Sequence, residues 1–329
     1  MPANLTPQYN KAEEEYKQAR TADEKLSCLK KMLQLLPKHK GTEKIQAELK
    51  TKISDMKDEV EKEKKAPKAG TSYKIPKQGA GQVIILGGPN VGKSTILAKL
   101  THATPEIAPY PFTTREPQPG MMAWQDVFVQ LIDTPPITSD YLESWLGNMV
   151  RVADLALLVV DCGDDDGISA ADDVRSKLAQ QKTMLVQHLP TNNDDPRIQS
   201  IKTLIIANKM DAPDAELRLS MLRDFWGNAY PIIPVSLNRE ADIEHLRNEI
   251  YRSLNVIRVY TKQPGKPVDK QRPFTIPTGG TVFDLAGVIH RDLQAQFKSA
   301  RIWGIGVFDG QTVKRDHVLH DGDIIEIHT

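Results

Sequence analysis

The chain has 329 residues, and its 43 Lys+Arg and 43 Asp+Glu residues give a formal net charge of zero at pH 7. This balance excludes the uniformly basic composition of proteins that coat nucleic acid, but it does not exclude a local RNA-facing patch. The length predicts two or three domains, and no apolar run approaches the roughly 18 residues of a membrane span. We expect a cytoplasmic protein without membrane contact, because the start of the chain lacks the pattern of a signal peptide. The only two cysteines show no metal-ligand spacing, and we expect them to be structural or incidental thiols in a reducing compartment.

Residues 1–65 predict a helical hairpin. Apolar residues recur at helical spacing over Leu26–Leu36 and again over Ile45–Val60, and the other helix faces carry Lys and Glu. Pro37 interrupts the pattern between them, so the two helices should pair antiparallel. Two roles remain open: a hairpin packed on the middle domain, or a protruding arm that grips a partner protein or the ribosome. Residues 66–81, rich in Pro, Gly and Lys, predict a linker.

A phosphate-binding loop follows the first predicted strand of the middle domain, which we place at residues 82–255. Val83–Leu86 is an apolar run, Ile96–Leu100 favours a helix, and G-G-P-N-V-G-K-S-T lies between them at Gly87–Thr95. A strand, a glycine-bearing loop and a helix form the context in which G-x-x-x-x-G-K-[ST] binds phosphates. The pattern therefore predicts a nucleotide-binding domain.

The residue types in this loop have chemical reasons. Gly87 and Gly92 let the backbone direct N–H groups at the phosphates in conformations that a side chain would obstruct. Lys93 brings a cation to the β- and γ-phosphates, and the Ser94 hydroxyl is placed to bind Mg²⁺. The predicted nucleotide contacts of the loop are Gly87, Pro89, Asn90, Val91, Gly92, Lys93, Ser94 and Thr95.

Two further segments are predicted to sense the γ-phosphate. Gln125–Ile132 alternates and then becomes apolar, which predicts a strand ending at Asp133, where a carboxylate can hold Mg²⁺ through water. Tyr110–Gly120 predicts a loop whose Thr114 can close on Mg²⁺ when a γ-phosphate is present. We predict Ser94, Thr114 and Asp133 as metal-binding residues and Lys93, Thr114 and Asp133 as catalytic residues.

A second motif identifies the base. Leu204–Asn208 predicts a buried strand that runs into N-K-x-D at residues 208–211. The Asp211 carboxylate can accept hydrogen bonds from N1–H and the 2-amino group of guanine, and adenine lacks both donors in that arrangement, which argues against an ATPase of related fold. Ile232–Leu237 predicts another strand, from which Ser236 is suited to meet guanine O6 through a backbone N–H. The predicted base contacts are Asn208, Lys209, Asp211 and Ser236.

The rest of the middle domain alternates strands and helices. Leu155–Asp161 predicts a buried strand, and helices are predicted at Ala170–Gln180, Ala215–Trp226 and Ile243–Leu254. This alternation predicts an α/β domain with a mostly parallel sheet wrapped by helices. The nucleotide would then bind at the carboxyl ends of the strands.

Together these segments resemble the five G motifs of the Obg/DRG group of translation-factor-class GTPases. The matching stretches read G-G-P-N-V-G-K-S-T, Y-P-F-T-T-R-E-P-Q-P-G, D-T-P-P, N-K-M-D and V-S-L. The resemblance implies a P-loop G domain that binds GTP and GDP with Mg²⁺, hydrolyses GTP slowly and acts in a process linked to the ribosome. It also gives Asn90 two readings, as a residue that helps to hold an activating K⁺ ion or as a turn residue after Pro89.

Residues 256–329 resemble a TGS domain, a small β-grasp module. Val256–Thr261 would be its first strand, Phe274–Val282 the next strand leading into a helix at Val282–Ile289, and Asp316–Ile327 the closing turn and strand. The resemblance implies contact with the ribosome or RNA through this domain. The amino-terminal helices resemble those of DRG proteins as well, so the likeness covers almost the whole chain.

The third G motif departs from the family pattern. It usually reads D-x-x-G, with a glycine N–H on the γ-phosphate, whereas Pro136 stands at that position and has no N–H. No glutamine follows to orient water, because the next residue is Ile137. Two hypotheses therefore remain: a slow GTPase that acts as a switch, or a GTP/GDP-binding scaffold or sensor that does not hydrolyse GTP.

Overall fold

The computed structural model describes residues 22–36, 46, 49, 51–53, 73, 75–101, 116–190 and 195–329. The chain divides into two units, residues 1–72 and 73–329. In the first unit, helix α1 spans Ala22–Leu35, where a helix was predicted. The second predicted helix, Ile45–Val60, is helical at residues 46, 49 and 51–53 and otherwise lies outside the described residues.

The second unit begins with a seven-stranded sheet. Its strands are β1 (Gln82–Leu86), β2 (Gln118–Trp124), β3 (Val127–Asp133), β4 (Leu155–Asp161), β5 (Thr183–Val186), β6 (Gln199–Asn208) and β7 (Ile232–Pro234). The order is β2-β3-β1-β4-β6-β5, with β7 also paired to β6. Every pairing is parallel except that of β2 with β3. The P-loop G-domain fold with a mostly parallel sheet is thus confirmed, with one antiparallel edge strand.

Helices cover both faces of this sheet. They are α2 (Lys93–Leu100), α3 (Leu146–Val152), α4 (Gly167–Gln180), α5 (Ala215–Trp226) and α6 (Glu240–Ser253). Alternate residues of β1 enter two different apolar clusters: Ile84 packs with α3, α4 and α5, and Val83 packs with α2 and α6. A strand buried on both faces reads as a continuous apolar run, which is why β1 was visible in the sequence. No helix in the described ranges combines the length and apolarity needed to cross a bilayer.

The carboxyl-terminal part of the second unit is a β-grasp domain. Its strands are β8 (Val256–Thr261), β9 (Asp269–Pro277), β10 (Ser299–Trp303), β11 (Gln311–Val313) and β12 (Ile324–His328), and its helices are α7 (Val282–Ile289) and α8 (Arg291–Ala295). The sheet order is β11-β10-β12-β8-β9. Helix α7 begins at a capping box made by Thr281 and Asp284, and its Leu285 packs into the core formed by one face of the sheet.

Some predicted elements differ from those observed. The predicted strand Gln125–Ile132 is shorter, because Gln125 has φ 49° and forms the turn between β2 and β3. The predicted strand Ile232–Leu237 ends at Pro234. Part of the predicted loop Tyr110–Gly120 belongs to β2, which starts at Gln118. Proline and glycine are tolerated there because β2 is an edge strand.

Candidate nucleotide-binding site

The loop between β1 and α2 has a backbone that requires glycine. Gly87 has φ 155° and Gly92 has φ 100°. A Cβ atom on Gly92 would lie 2.3 Å from Nδ2 of Asn208, so no other residue fits without moving the guanine motif. Asn90 is exposed and has φ 59°, a left-handed conformation that asparagine tolerates better than most residues. The loop backbone at Gly87 and Gly92 therefore has conformations that side chains rarely adopt, as the sequence predicts for a phosphate-binding loop.

Lys93 points back into this loop. Its side chain is buried, and its ammonium group donates hydrogen bonds to the carbonyl oxygens of Gly87 at 3.1 Å and Gly88 at 2.6 Å. Burial lowers the pKa of Lys93 to about 8, and the negative charge of Asp133 partly offsets this effect. A buried cation enclosed by loop backbone is placed to meet phosphate oxygens.

Ser94 and Asp133 form the predicted Mg²⁺ site. The Ser94 hydroxyl donates to Oδ2 of Asp133 at 2.5 Å, and Asp133 is fully buried. They meet because β3 pairs with β1 so that Asp133 lies opposite Ile85, one residue before the end of β1. A hydroxyl beside a carboxylate is the hard oxygen donor set that Mg²⁺ takes, so these residues fit the ion. The third predicted ligand, Thr114, lies outside the described residues.

The segment after Asp133 is bound to the phosphate loop and its strand. The Thr134 hydroxyl donates to the carbonyl of Ile85 at 2.6 Å, and the Ile137 N–H donates to the carbonyl of Gly87 at 3.1 Å. Between them lie two buried prolines, which have no N–H. The Ile137 N–H that follows them is directed at Gly87. The third G motif thus differs in geometry as well as in sequence from one that offers an N–H to a γ-phosphate.

The guanine motif meets the phosphate loop directly. Asn208 is buried at the end of β6, and its Nδ2 donates to the carbonyl of Val91 at 2.8 Å. The Asp211 carboxylate accepts hydrogen bonds from Nδ2 of Asn238 at 2.7 Å and from the hydroxyl of Ser236 at 3.0 Å, and these bonds lower its pKa. A cleft of about 290 Å³ opens beside this motif. It is lined by Gly92, Thr95, Asn208, Lys209, Asp211, Ala212, Leu237 and Asn238.

The structure corrects one predicted role and adds two residues. The Ser236 N–H donates to Asp242 at 2.9 Å, so it is not directed at guanine O6. The Ser236 hydroxyl contacts Asp211 instead. Asn238 was not predicted, because nothing in the sequence pairs it with Asp211. Asp161 was also missed, although it forms an ion pair with Lys209 and ends a predicted strand at the same edge of the sheet, a position that could have identified it.

Comparisons with known proteins agree with this geometry. Residues 82–209 match the family described as "50S ribosome-binding GTPase", and residues 257–329 match the TGS domain. An uncharacterised GTP-binding protein of Methanocaldococcus jannaschii is 28% identical, with 93% of this chain and 92% of that protein covered. The developmentally-regulated GTP-binding protein 2 homolog of Dictyostelium discoideum is 27% identical, with 92% and 98% covered.

A solved structure supports the fold. The YchF GTPase of Schizosaccharomyces pombe superposes with a TM-score of 0.51 at 17% identity, over 78% of this chain and 100% of that chain. At this level of identity the likeness concerns the arrangement of helices and strands.

Proposed function

We propose that this protein is a guanine-nucleotide switch that hydrolyses GTP slowly to GDP in a process linked to the ribosome. The chain belongs to the Obg/DRG-type GTPases with a carboxyl-terminal TGS domain. The observation that carries the proposal is the hydrogen bond from Asn208 to the carbonyl of Val91. Because this bond joins the guanine motif to the phosphate loop, one ligand with a purine and phosphates would contact both.

The proposed roles follow from the contacts. Lys93 would bind the β- and γ-phosphates, and Ser94 and Asp133 would hold Mg²⁺, with Thr114 joining them when GTP is bound. When present, Mg²⁺ neutralises charge on the phosphates. Asp211 would accept hydrogen bonds from the two guanine donors. Adenine lacks those donors, so the oriented carboxylate would disfavour ATP.

A second function is favoured by one observation. The Ile137 N–H is bonded to Gly87 and the two preceding prolines have none, so the third G motif offers no glycine N–H to the γ-phosphate. A protein of this kind would bind GTP and GDP with similar affinity and would serve as a scaffold or sensor that does not hydrolyse GTP.

Single-turnover GTP hydrolysis with protein in excess separates the two functions. We expect slow turnover that is lost in Lys93→Ala, and we expect it to be faster in K⁺ than in Na⁺ if Asn90 helps to hold K⁺. The Asn90→Ala variant is the control that shows whether the difference in rate between K⁺ and Na⁺ depends on Asn90. Tight GTP binding without turnover in either salt would support the sensor, and failure to bind any guanine nucleotide would overturn both functions.

The proposed partners are tested by sedimentation. The family description of residues 82–209 names the 50S subunit, and the proposed contacts are the ribosome or RNA through the TGS domain and a protein through the amino-terminal helices. We expect the full chain, which we place in the cytoplasm, to sediment with ribosomal particles in at least one of three states: with a non-hydrolysable GTP analogue, with GDP or without nucleotide. Sedimentation in none of them would contradict the link.

A further inference from the structure

The β2–β3 hairpin connects the proposed Mg²⁺ site to the TGS domain. Its register runs without a shift from Gln118 opposite Asp133 at one end to Trp124 opposite Val127 at the other. Seven residues of antiparallel strand span roughly 20 Å. One end of the hairpin therefore carries the carboxylate that contacts Ser94, and β2 starts four residues after Thr114. The other end is the turn at residues 125–126, which we call the hairpin tip.

The hairpin tip is bound by two residues of strand β8 in the TGS domain. Oδ1 of Asp126 accepts a hydrogen bond from the Arg258 guanidinium at 2.8 Å, and Oδ2 of Asp126 accepts one from the Tyr260 hydroxyl. Arg258 also donates to Oε1 of Gln125 at 2.5 Å. Because residues 258 and 260 are two apart on one strand, they lie on the same face of the TGS sheet. Both side chains can therefore contact the same carboxylate, that of Asp126.

Charge and aromatic stacking reinforce this contact. Burial opposes ionisation of Asp126, but the hydrogen bonds from Tyr260 and Arg258 outweigh it and lower the pKa of Asp126. Trp124, next to the tip, stacks on Tyr251 of α6 with ring centroids 3.5 Å apart, and the Arg258 guanidinium lies 5.2 Å from the Trp124 ring centroid. The tip is thus held from α6 and from β8.

We propose that Arg258 and Tyr260 are positioning residues for the Mg²⁺ site, which they influence through the hairpin. The inference rests on the proposed function, since it concerns the nucleotide-binding site. Strand β3 is paired with β2 along its whole length and with β1 at the Asp133 end, so a displacement of the tip is transmitted to Asp133. Coupling of this kind is reciprocal, so a partner that displaces the TGS domain would change Mg²⁺-dependent nucleotide release.

The test is the rate of nucleotide release from the full chain as a function of free Mg²⁺, measured by displacement of a fluorescent GDP, with a parallel measurement in EDTA. Tyr260→Phe removes a single hydroxyl, and Asp126→Asn keeps the size of the side chain. Tyr230→Phe is the matched control, because it also removes one partly buried tyrosine hydroxyl, which donates to the carbonyl of Leu185 in β5. Thermal unfolding of each variant shows that it is folded.

We expect the Asp126→Asn/Tyr260→Phe double variant to need about tenfold more Mg²⁺ for half-maximal slowing of release, a typical size for coupling between sites. In EDTA the double variant should release nucleotide at the wild-type rate. The Tyr230→Phe variant should release nucleotide at the wild-type rate both in Mg²⁺ and in EDTA. Equal acceleration in Mg²⁺ and in EDTA would mean a general structural role and would overturn the inference.

The outcomes also separate this inference from the proposed function. If nucleotide release depends on Mg²⁺ in the wild type and has the same Mg²⁺ dependence in the double variant, the inference is overturned and the proposed function is not affected. Release from the wild type that does not depend on Mg²⁺ overturns the inference as well, while nucleotide binding stands. A wild-type chain that binds no guanine nucleotide overturns the proposed function and the inference with it.

Discussion

The two ends of the nucleotide site are built differently. At the guanine end, Asp211 is exposed and its two oxygens are oriented by the side chains of Asn238 and Ser236. At the phosphate end, Asp133 and the segment up to Ile137 are buried, and that segment is bonded to the backbone of β1 and the phosphate loop. The guanine end thus offers an exposed, oriented carboxylate, whereas the third motif at the phosphate end is buried and has no N–H at its two prolines.

The largest expected effect lies at the guanine end. Asp211→Asn should weaken GDP binding about 100-fold or more, because two hydrogen bonds to a charged acceptor are lost or mismatched. Xanthosine diphosphate, which has an oxygen in place of the 2-amino group, should gain affinity. Competition of both nucleotides against a fluorescent GDP measures the change. The exposed Asp224→Asn on α5 is the control, and an unchanged preference for GDP in Asp211→Asn would place the base elsewhere.

At the phosphate end, Pro136→Gly should sharpen the difference between GTP and GDP. It restores an N–H at the position where the family has one, and one hydrogen bond to a developing charge is worth about tenfold in rate. Single-turnover hydrolysis and the GTP-to-GDP affinity ratio measure the effect. Pro135→Gly restores an N–H at the neighbouring position and should not accelerate hydrolysis. If both variants behave like the wild type, the missing N–H does not limit turnover.

A smaller effect is expected for Asn238→Ala. Loss of one hydrogen bond that orients the Asp211 carboxylate should weaken GDP binding about fivefold. The same variant should leave the rate of GTP hydrolysis by the saturated protein unchanged, because Asn238 lies at the guanine end. Equal losses in binding and in hydrolysis rate would contradict this division between the two ends.

The smallest expected effect is the pH dependence contributed by Lys93. Burial lowers its pKa to about 8, and phosphates should raise that pKa, so binding takes up a proton near this pH. Affinity should therefore fall as pH rises through about 8, by roughly a factor of two at pH 8 itself. Calorimetry of GDP binding in two buffers of different ionisation enthalpy should give about half a proton taken up at pH 8. Binding heats that do not depend on the buffer would contradict it.

Local chemistry explains which parts of the fold could be predicted from the sequence. The phosphate loop, N-K-x-D and strands β1, β4 and β8 are recognisable because each is a contiguous pattern. Strand β2 was missed, since Pro119 and Gly120 are residues that normally mark loops. The short strands β5, β10 and β11 contain few consecutive buried residues, so their pattern is weak.

Tertiary pairing explains what remained hidden in the site. The bond between Asn238 and Asp211 depends on how β7 follows β6, and no spacing rule specifies it. The contact between Arg258 and Asp126 joins residues 132 positions apart in two domains. Asp126 was assigned to a strand, where its charge had no stated partner. Thr114 lies outside the described residues, so its role stays a prediction.

The stacked pair at the hairpin tip has an optical consequence. Trp124 is one of four tryptophans in the chain, and its indole lies nearly parallel to the Tyr251 ring, with an interplanar angle of 12°, while its N–H donates to Asn248 at 2.8 Å. An indole that stacks on a phenol ring and lies close to a guanidinium has an emission spectrum that depends on that geometry. In a variant whose other three tryptophans are replaced by phenylalanine, the intrinsic fluorescence of Trp124 would therefore report on movement of the tip without an attached dye.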